Sequence, residues 1–249
     1  MDVTDDSGRH RGWADRLAGH LAMRNPDFQY ANLAIRGRTA PQVVGEQVPA
    51  ALRLRPDLVT LAVGINDALR PRYDVNAAAT HVENAARSLR AQGTDVVLFA
   101  FGDPSRKSRV MGRVRERILQ ANAATRAIAE RYGCHVVDFW GCAVFDADEL
   151  WDDDRLHLSP EGHRLASLAV LETLGLGDDA WRTPVSRDEP SLPQRAWGDT
   201  RWAARHLAPW VVRRIRGRSS GDGITPKRPV LAPVALPAGM RRPGDAPTM

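Results

Sequence analysis

The sequence predicts an α/β protein with a parallel sheet covered by helices on both faces. Two observations predict it. Apolar runs of strand length recur along the first 177 residues, at Phe28–Ile35, Leu58–Val63, Asp95–Phe101 and His135–Trp140. Between and around them lie segments whose apolar residues recur at helical spacing. Strands that are apolar throughout, rather than at every second residue, belong in sheets buried on both faces, and their alternation with helices indicates parallel crossovers.

The elements run in order along the chain. Trp13–Met23 is the first helix. Phe28–Ile35 is a short strand ending at Arg36-Gly37. Pro41–Leu52 is the next helix, with Thr39 as N-cap and Pro41 in the first turn. Leu58–Val63 is a strand that stops at Gly64, and Asp74–Gln92 is an amphipathic helix capped by Asp74. Asp95–Phe101 is a strand ended by Gly102. Arg106–Tyr132 is one long basic helix or two shorter ones. His135–Trp140 is the last strand, and Ser159–Leu174 the last helix, with Ser159 as N-cap and Pro160 behind it. The alternation opens on a helix where a strand is expected, and nothing in residues 1–11 reads as a strand.

The chain of 249 residues divides into a domain at 1–177, a polar linker and basic amphipathic helix at 178–218, and a Pro-rich basic tail at 219–249 expected to be disordered. From residue 201 onward, ten basic residues face two acidic ones, a net +8, which leaves −3 for the first 200 residues of a chain whose total is +5. The high isoelectric point therefore belongs to the tail. No apolar run has membrane-spanning length, and the acidic start MDVTDDSGRH lacks the features of a signal peptide. Cys134 and Cys142 offer no disulfide framework and read as reduced, largely buried thiols, so a cytoplasmic setting is expected.

In sheets of this type, ligands bind beyond the carboxyl ends of the strands. Three such ends carry chemistry. Gly37 follows the first strand and offers an unobstructed backbone N–H. Gly64-Ile65-Asn66-Asp67 follows the second, and the Asn66 amide is suited to hold a developing oxyanion. Asp154-Arg155-Leu156-His157 precedes the last helix. There a carboxylate three residues before an imidazole can fix its tautomer and stabilise its cation, leaving the other ring nitrogen as a base. Each feature has a plainer reading: a turn glycine, Asn-Asp turn chemistry, a capping loop, or a metal-ligand pair at Asp154 and His157. Asp152-Asp153-Asp154 reads as a solvated acidic loop, and His163 as a packing or capping residue.

Taken together and in this order, these blocks resemble the SGNH hydrolases, the GDSL esterase/lipase family. Gly37 matches the family's second block, Gly64–Asp67 the third and Asp154–His157 the last. Arg11-Gly12-Trp13-Ala14-Asp15-Arg16-Leu17 is similar to the stretch after the first block in bacterial members. The resemblance spans about residues 8–175. It implies a three-layer, flavodoxin-like sheet and hydrolysis of acyl or acetyl esters by Ser-His-Asp catalysis. His157 would be the base, Asp154 its orienting carboxylate, and Gly37 and Asn66 oxyanion donors. It implies no metal or organic cofactor.

The departure is at the start. The family's Gly-Asp-Ser block ends a first, central strand, and no apolar run leads into Asp6-Ser7-Gly8. No residue of this chain is therefore assigned as nucleophile, and the chain as it stands is expected to be inactive. The first central strand is expected to be missing, leaving a slot between the strands at Phe28 and Leu58. Each buried group so orphaned costs about 1–3 kcal/mol against total stabilities of about 5–15 kcal/mol, so Met1 is expected to be internal to a longer protein. Two other readings stand beside this one: a non-catalytic SGNH-like binding module, and a protein docked on an anionic surface through residues 201–218. The partner expected is a small-molecule ester. No specific nucleic acid is expected. Arg70, Arg72, Arg106, Lys107 and Arg109, in loops expected to rim the site, favour an anionic or sugar-rich substrate.

Overall fold

The computed structural model describes residues 3–4, 10–106, 111–183 and 221–235. Its main sheet has three parallel strands among the described residues, in the order β4 (Leu58–Leu61), β5 (Asp95–Ala100), β6 (His135–Asp138). Leu58 stands beside Asp95, and Val97 beside His135. The side chains of β5 alternate between two apolar clusters. Val97 and Phe99 pack with Leu17 of helix α1 (Trp13–Arg24) and with Leu165, Ala166, Ala169 and Val170 of α7 (Pro160–Thr173). Val96 and Leu98 pack with Val82, Ala85, Ala86 and Leu89 of α5 (Val75–Arg90) and with Ile128 and Ala129 of α6 (Arg115–Tyr132). The period of two along a strand thus produces the three layers.

The ends of these elements obey local chemistry. Asp74 caps α5 by accepting from the Asn76 and Ala77 N–H groups. Ser159 caps α7 by accepting from Gly162 N–H, and Pro160 fills the first helical position, where no N–H is needed. α6 stops at Gly133, which takes the left-handed conformation at φ 62°. Asn122, fully buried on α6, extends β5 at its end: its Oδ1 accepts from Phe101 N–H at 2.8 Å and its Nδ2 donates to Phe101 O at 2.7 Å.

Several expectations are refined. The helix expected at Pro41–Leu52 runs as α2 (Ala40–Gln42), a π-helical turn (Val43–Gln47) and α3 (Val48–Leu54). The long basic segment is a 3₁₀ turn at Pro104–Arg106, another at Met111–Val114, and then α6. The strand expected at Phe28–Ile35 shortens to β3 (Gln29–Asn32), because Asn32 Oδ1 accepts from Ala34 N–H and turns the chain. The polar start also contains a two-residue hairpin, β1 (Val3–Thr4) against β2 (His10–Arg11), where the sequence predicts no strand.

The tail departs most from expectation. Residues 219–249 are expected from composition to be disordered, yet β7 (Arg228–Pro233) pairs antiparallel with β3, Tyr30 opposite Ala232 and Asn32 opposite Arg228. The prolines conceal it: an edge strand tolerates them where the missing N–H would face solvent. Arg228 lies over the Tyr30 ring at 5.4 Å, and Lys227 Nζ pairs with Asp15 at 2.7 Å. The basic helix expected at 201–218, and with it the anionic-surface contact, lies outside the described residues.

Between β3 and β4 lies a cavity of about 820 Å³. β3 pairs with β7 and β4 with β5, so these two strands face each other across the cavity without forming a ladder.

Candidate active site

The first half of the site is a short loop opening α7. Trp151 and Leu158 form an isolated antiparallel bridge. Inside it, Asp152 N–H donates to His157 O and Arg155 N–H to Asp152 O, both at 2.8 Å. Arg155 takes φ 53°, the left-handed region, to close the turn. Ser159 N–H donates to Leu150 O at 2.9 Å and fastens the loop to the preceding 3₁₀ turn. Gly162 is needed there, because a Cβ at that position would stand 2.0 Å from Leu150 O.

This scaffold sets Asp154 against His157. Its Oδ1 accepts from the Leu156 and His157 N–H groups, both at 2.9 Å, and its Oδ2 meets His157 Nδ1 at 2.5 Å. Burial pushes the Asp154 carboxyl up, but the His157 ring, the His157 backbone N–H and the Leu156 N–H together hold it well below the usual carboxylate range. An ionised Asp154 selects the tautomer with the proton on Nδ1. His157 Nε2 is then an acceptor, and among the described residues nothing hydrogen-bonds to it.

The second half joins two loops. Gly64, at φ 101°, turns the chain from β4 into the short helix α4 (Ile65–Ala68). Asn66 Nδ2 donates to Arg38 O at 3.0 Å, in the loop after β3. An amide carries two N–H donors, so one remains for a ligand. Gly37 is half-buried at φ 74° beside Arg38. The brace between the loops is Asp67, whose buried carboxylate accepts from Ala40 N–H at 2.9 and 3.1 Å. In the sequence Asn66-Asp67 reads as turn chemistry, and this bond is invisible there because its partner lies 27 residues away.

The structure therefore brings Asp154 to His157, and Asn66 to the Gly37–Arg38 loop, as two clusters with no hydrogen bond between them among the described residues. Both lie on loops at the carboxyl end of the sheet, one after β4 and the other opening the helix that returns along β6. His163 fulfils its expected capping role, though on another helix: it is buried, and its Nδ1 accepts from Trp13 N–H at 3.1 Å at the start of α1. No serine hydroxyl among the described residues reaches His157. Ser159 donates to Glu149 O, Ser167 to Arg164 O and Ser105 to Asp103. Ser7 lies outside the described residues.

Of the expected basic rim, Arg106 is paired with Asp146, and Lys107 and Arg109 lie outside the described residues. The described residues hold no cluster of three or more metal-ligating side chains, and none of their helices is long and apolar enough to cross a membrane. Both cysteines are free, and burial pushes both thiols up.

A parallel sheet with helices packed on both of its faces defines the class, an α/β protein. The chain belongs to the GDSL-like lipase/acylhydrolase family, whose model matches residues 2–165, and so to a family of ester hydrolases. Solved structures share the fold. An acetylxylan esterase from Geobacillus stearothermophilus, Axe2, aligns with a TM-score of 0.58 at 19% identity, over 75% of this chain and 88% of that one. LAE5, an α/β hydrolase from the metagenome of Lake Arreo in Spain, aligns with 0.55 at 20%, over 72% and 88%. TesA aligns with 0.56 at 23%, over 66% and 87%. A search of curated proteins finds no match.

Proposed function

We propose that this chain carries the base and the oxyanion donors of a serine ester hydrolase acting on small acyl or acetyl esters. The observation that carries the reading is the Asp154–His157 pair, with its short Oδ2–Nδ1 contact and an open Nε2. A serine hydroxyl beside Nε2 would add to the ester carbonyl as its proton passes to His157. Asn66 and the Gly37 N–H would hold the resulting oxyanion. Collapse of the tetrahedral adduct would return that proton to the departing alcohol and leave an acyl-serine. Water, deprotonated by the same ring, would then release the carboxylic acid. The serine is to come from a strand seated in the cavity between β3 and β4.

The test extends the chain at its amino end with an apolar strand and a Gly-Asp-Ser turn. The extended protein is then treated with a fluorophosphonate. The expected result is one covalent adduct on the new serine, lost when His157→Ala removes the base. A folded extended protein that takes no adduct on that serine would defeat the proposal and favour the non-catalytic module.

A further inference from the structure

The loop that carries Gly37 meets a second part of the chain from far along the sequence. Residues 221–235 return to the outer edge of β3, and their first residue, Gly221, is buried. A Cβ at Gly221 would stand 2.1 Å from Arg36 O, 3.3 Å from Arg36 C and 3.0 Å from Ile35 Cγ2. A backbone carbonyl cannot yield as the end of a flexible side chain can, so a methyl group there would displace one chain or the other. The other half of the site is held by the same device, where Gly162 stands against Leu150 O.

Backbone angles do not explain this glycine. Gly223, two residues on, takes φ 74°, whereas Gly221 is outside the left-handed region. The φ of Gly221 is open to residues with a side chain. What forbids one is the approach to Arg36 O.

That approach falls on the peptide that sets the direction of a donor. Arg36 O and Gly37 N belong to one planar unit, in which C=O and N–H point opposite ways. Fixing the carbonyl therefore fixes the N–H. With Gly221 against Arg36 O, the Gly37 N–H is aimed away from the carboxyl-terminal segment.

The segment is itself fastened at three places. Ile224 N–H donates to Gly221 O at 3.2 Å and closes a turn directly behind the contact. Lys227 Nζ pairs with Asp15 at 2.7 Å, and Asp15 also accepts from Gly12 N–H at 3.0 Å at the start of α1. β7 then runs along β3, with Tyr30 opposite Ala232. One segment thus holds both the strand and the peptide that follows it.

We infer that Gly221 is a positioning residue for the oxyanion donor at Gly37. Its lack of a side chain lets residues 221–235 lock the Arg36–Gly37 peptide in one orientation. The locking stands on these contacts, and its effect on turnover rests on the hydrolase reading.

The experiment follows backbone amide resonances and amide exchange, residue by residue, in the full chain and its variants. In Gly221→Ala the Gly37 and Arg38 amides should shift and exchange about tenfold faster. Val97 and Leu98, buried in β5, should not change. Val230→Ala, at a residue 61% exposed on the same segment, should leave Gly37 unmoved. Ile35→Ala removes the neighbouring Cγ2 but not the carbonyl, so the double variant Gly221→Ala/Ile35→Ala should keep the Gly37 change. A chain ending at residue 220 lacks the contact altogether and should show that change even if Gly221→Ala does not fold. A Gly37 amide unmoved in a folded Gly221→Ala or in the shortened chain, or restored by Ile35→Ala, would overturn the inference. In the serine-bearing form, Gly221→Ala should lower kcat for p-nitrophenyl acetate about a hundredfold with KM little changed. A moved Gly37 amide with kcat equal to an active parent's would also overturn it. A serine-bearing parent that does not hydrolyse the ester counts against the hydrolase reading alone, and the amides still decide the locking.

Discussion

Asp67 offers a sharp test of how this site is held together. Its carboxylate bonds Ala40 N–H, which opens α2 and is fully buried, and the same turn presents Asn66 to Arg38 O. Asp67→Ala would leave the Ala40 donor without an acceptor. Such a loss costs about 1–3 kcal/mol, with bonds to charged acceptors at the upper end. A chain of this size loses about 2–4 °C of melting temperature per kcal/mol, so a fall of about 4–10 °C is expected in thermal denaturation. Asp67→Asn keeps an acceptor at the same place and should stay within about 1 kcal/mol of the parent.

The pH dependence adds a second constraint. Burial raises the Asp67 carboxyl above its ordinary value, against the opposing pull of the Ala40 N–H and Arg70. A raised folded-state pKa means that the folded chain binds the proton more readily than the unfolded chain. The ionised form thus carries a penalty that is relieved as pH falls through the folded value. Relative to Asp67→Asn, the parent should gain stability on acidification from pH 7 towards about 4. An Asp67→Ala variant as stable as the parent would refute the brace. A parent–Asn difference that does not move with pH would refute the burial argument.

Asp154 should behave oppositely. Its depressed carboxyl contributes stability that is present above the ordinary carboxylate value near 4 and is lost as pH falls below it. An acid unfolding curve should therefore flatten in Asp154→Asn. In the serine-bearing form, Asp154→Asn presents an amide N–H to Nδ1, selects the wrong tautomer and should lower kcat about 10⁴-fold. Asn66→Ala should lower it about 10²–10³-fold with little change in melting temperature. Gly162→Ala drives a Cβ into Leu150 O and should cost about 1–3 kcal/mol in denaturant unfolding. Removing residues 221–249 uncovers the outer edge of β3 and should raise self-association by light scattering, whereas an unchanged molecular mass would argue against β7 as an edge cover.

What the sequence discloses is whatever depends on near neighbours. The Ser159-Pro160 start of α7, the Asp74 cap and the Asp154–His157 pair are three-residue affairs, and each stands where the spacing puts it. What it conceals depends on distant partners. The Asp67–Ala40 bond and the His163–Trp13 cap span 27 and 150 residues, and no local pattern records them. β7 is hidden because prolines at 229 and 233 read as disorder until an edge strand is there to use them. The π-helical turn at Val43–Gln47 leaves no mark in apolar spacing either. The alternation that opens on a helix is legible in the sequence, and among the described residues β3 pairs with β7 and β4 with β5.

The proposed role of His157 as the base of an ester hydrolase can be measured on the reaction itself. The most direct measurement is the rate of p-nitrophenyl acetate hydrolysis by the chain carrying a serine-bearing strand, set against the same protein with His157→Ala. Loss of the base should lower the rate about 10⁴–10⁶-fold with the fold intact by circular dichroism. Equal rates in the two folded proteins would contradict it.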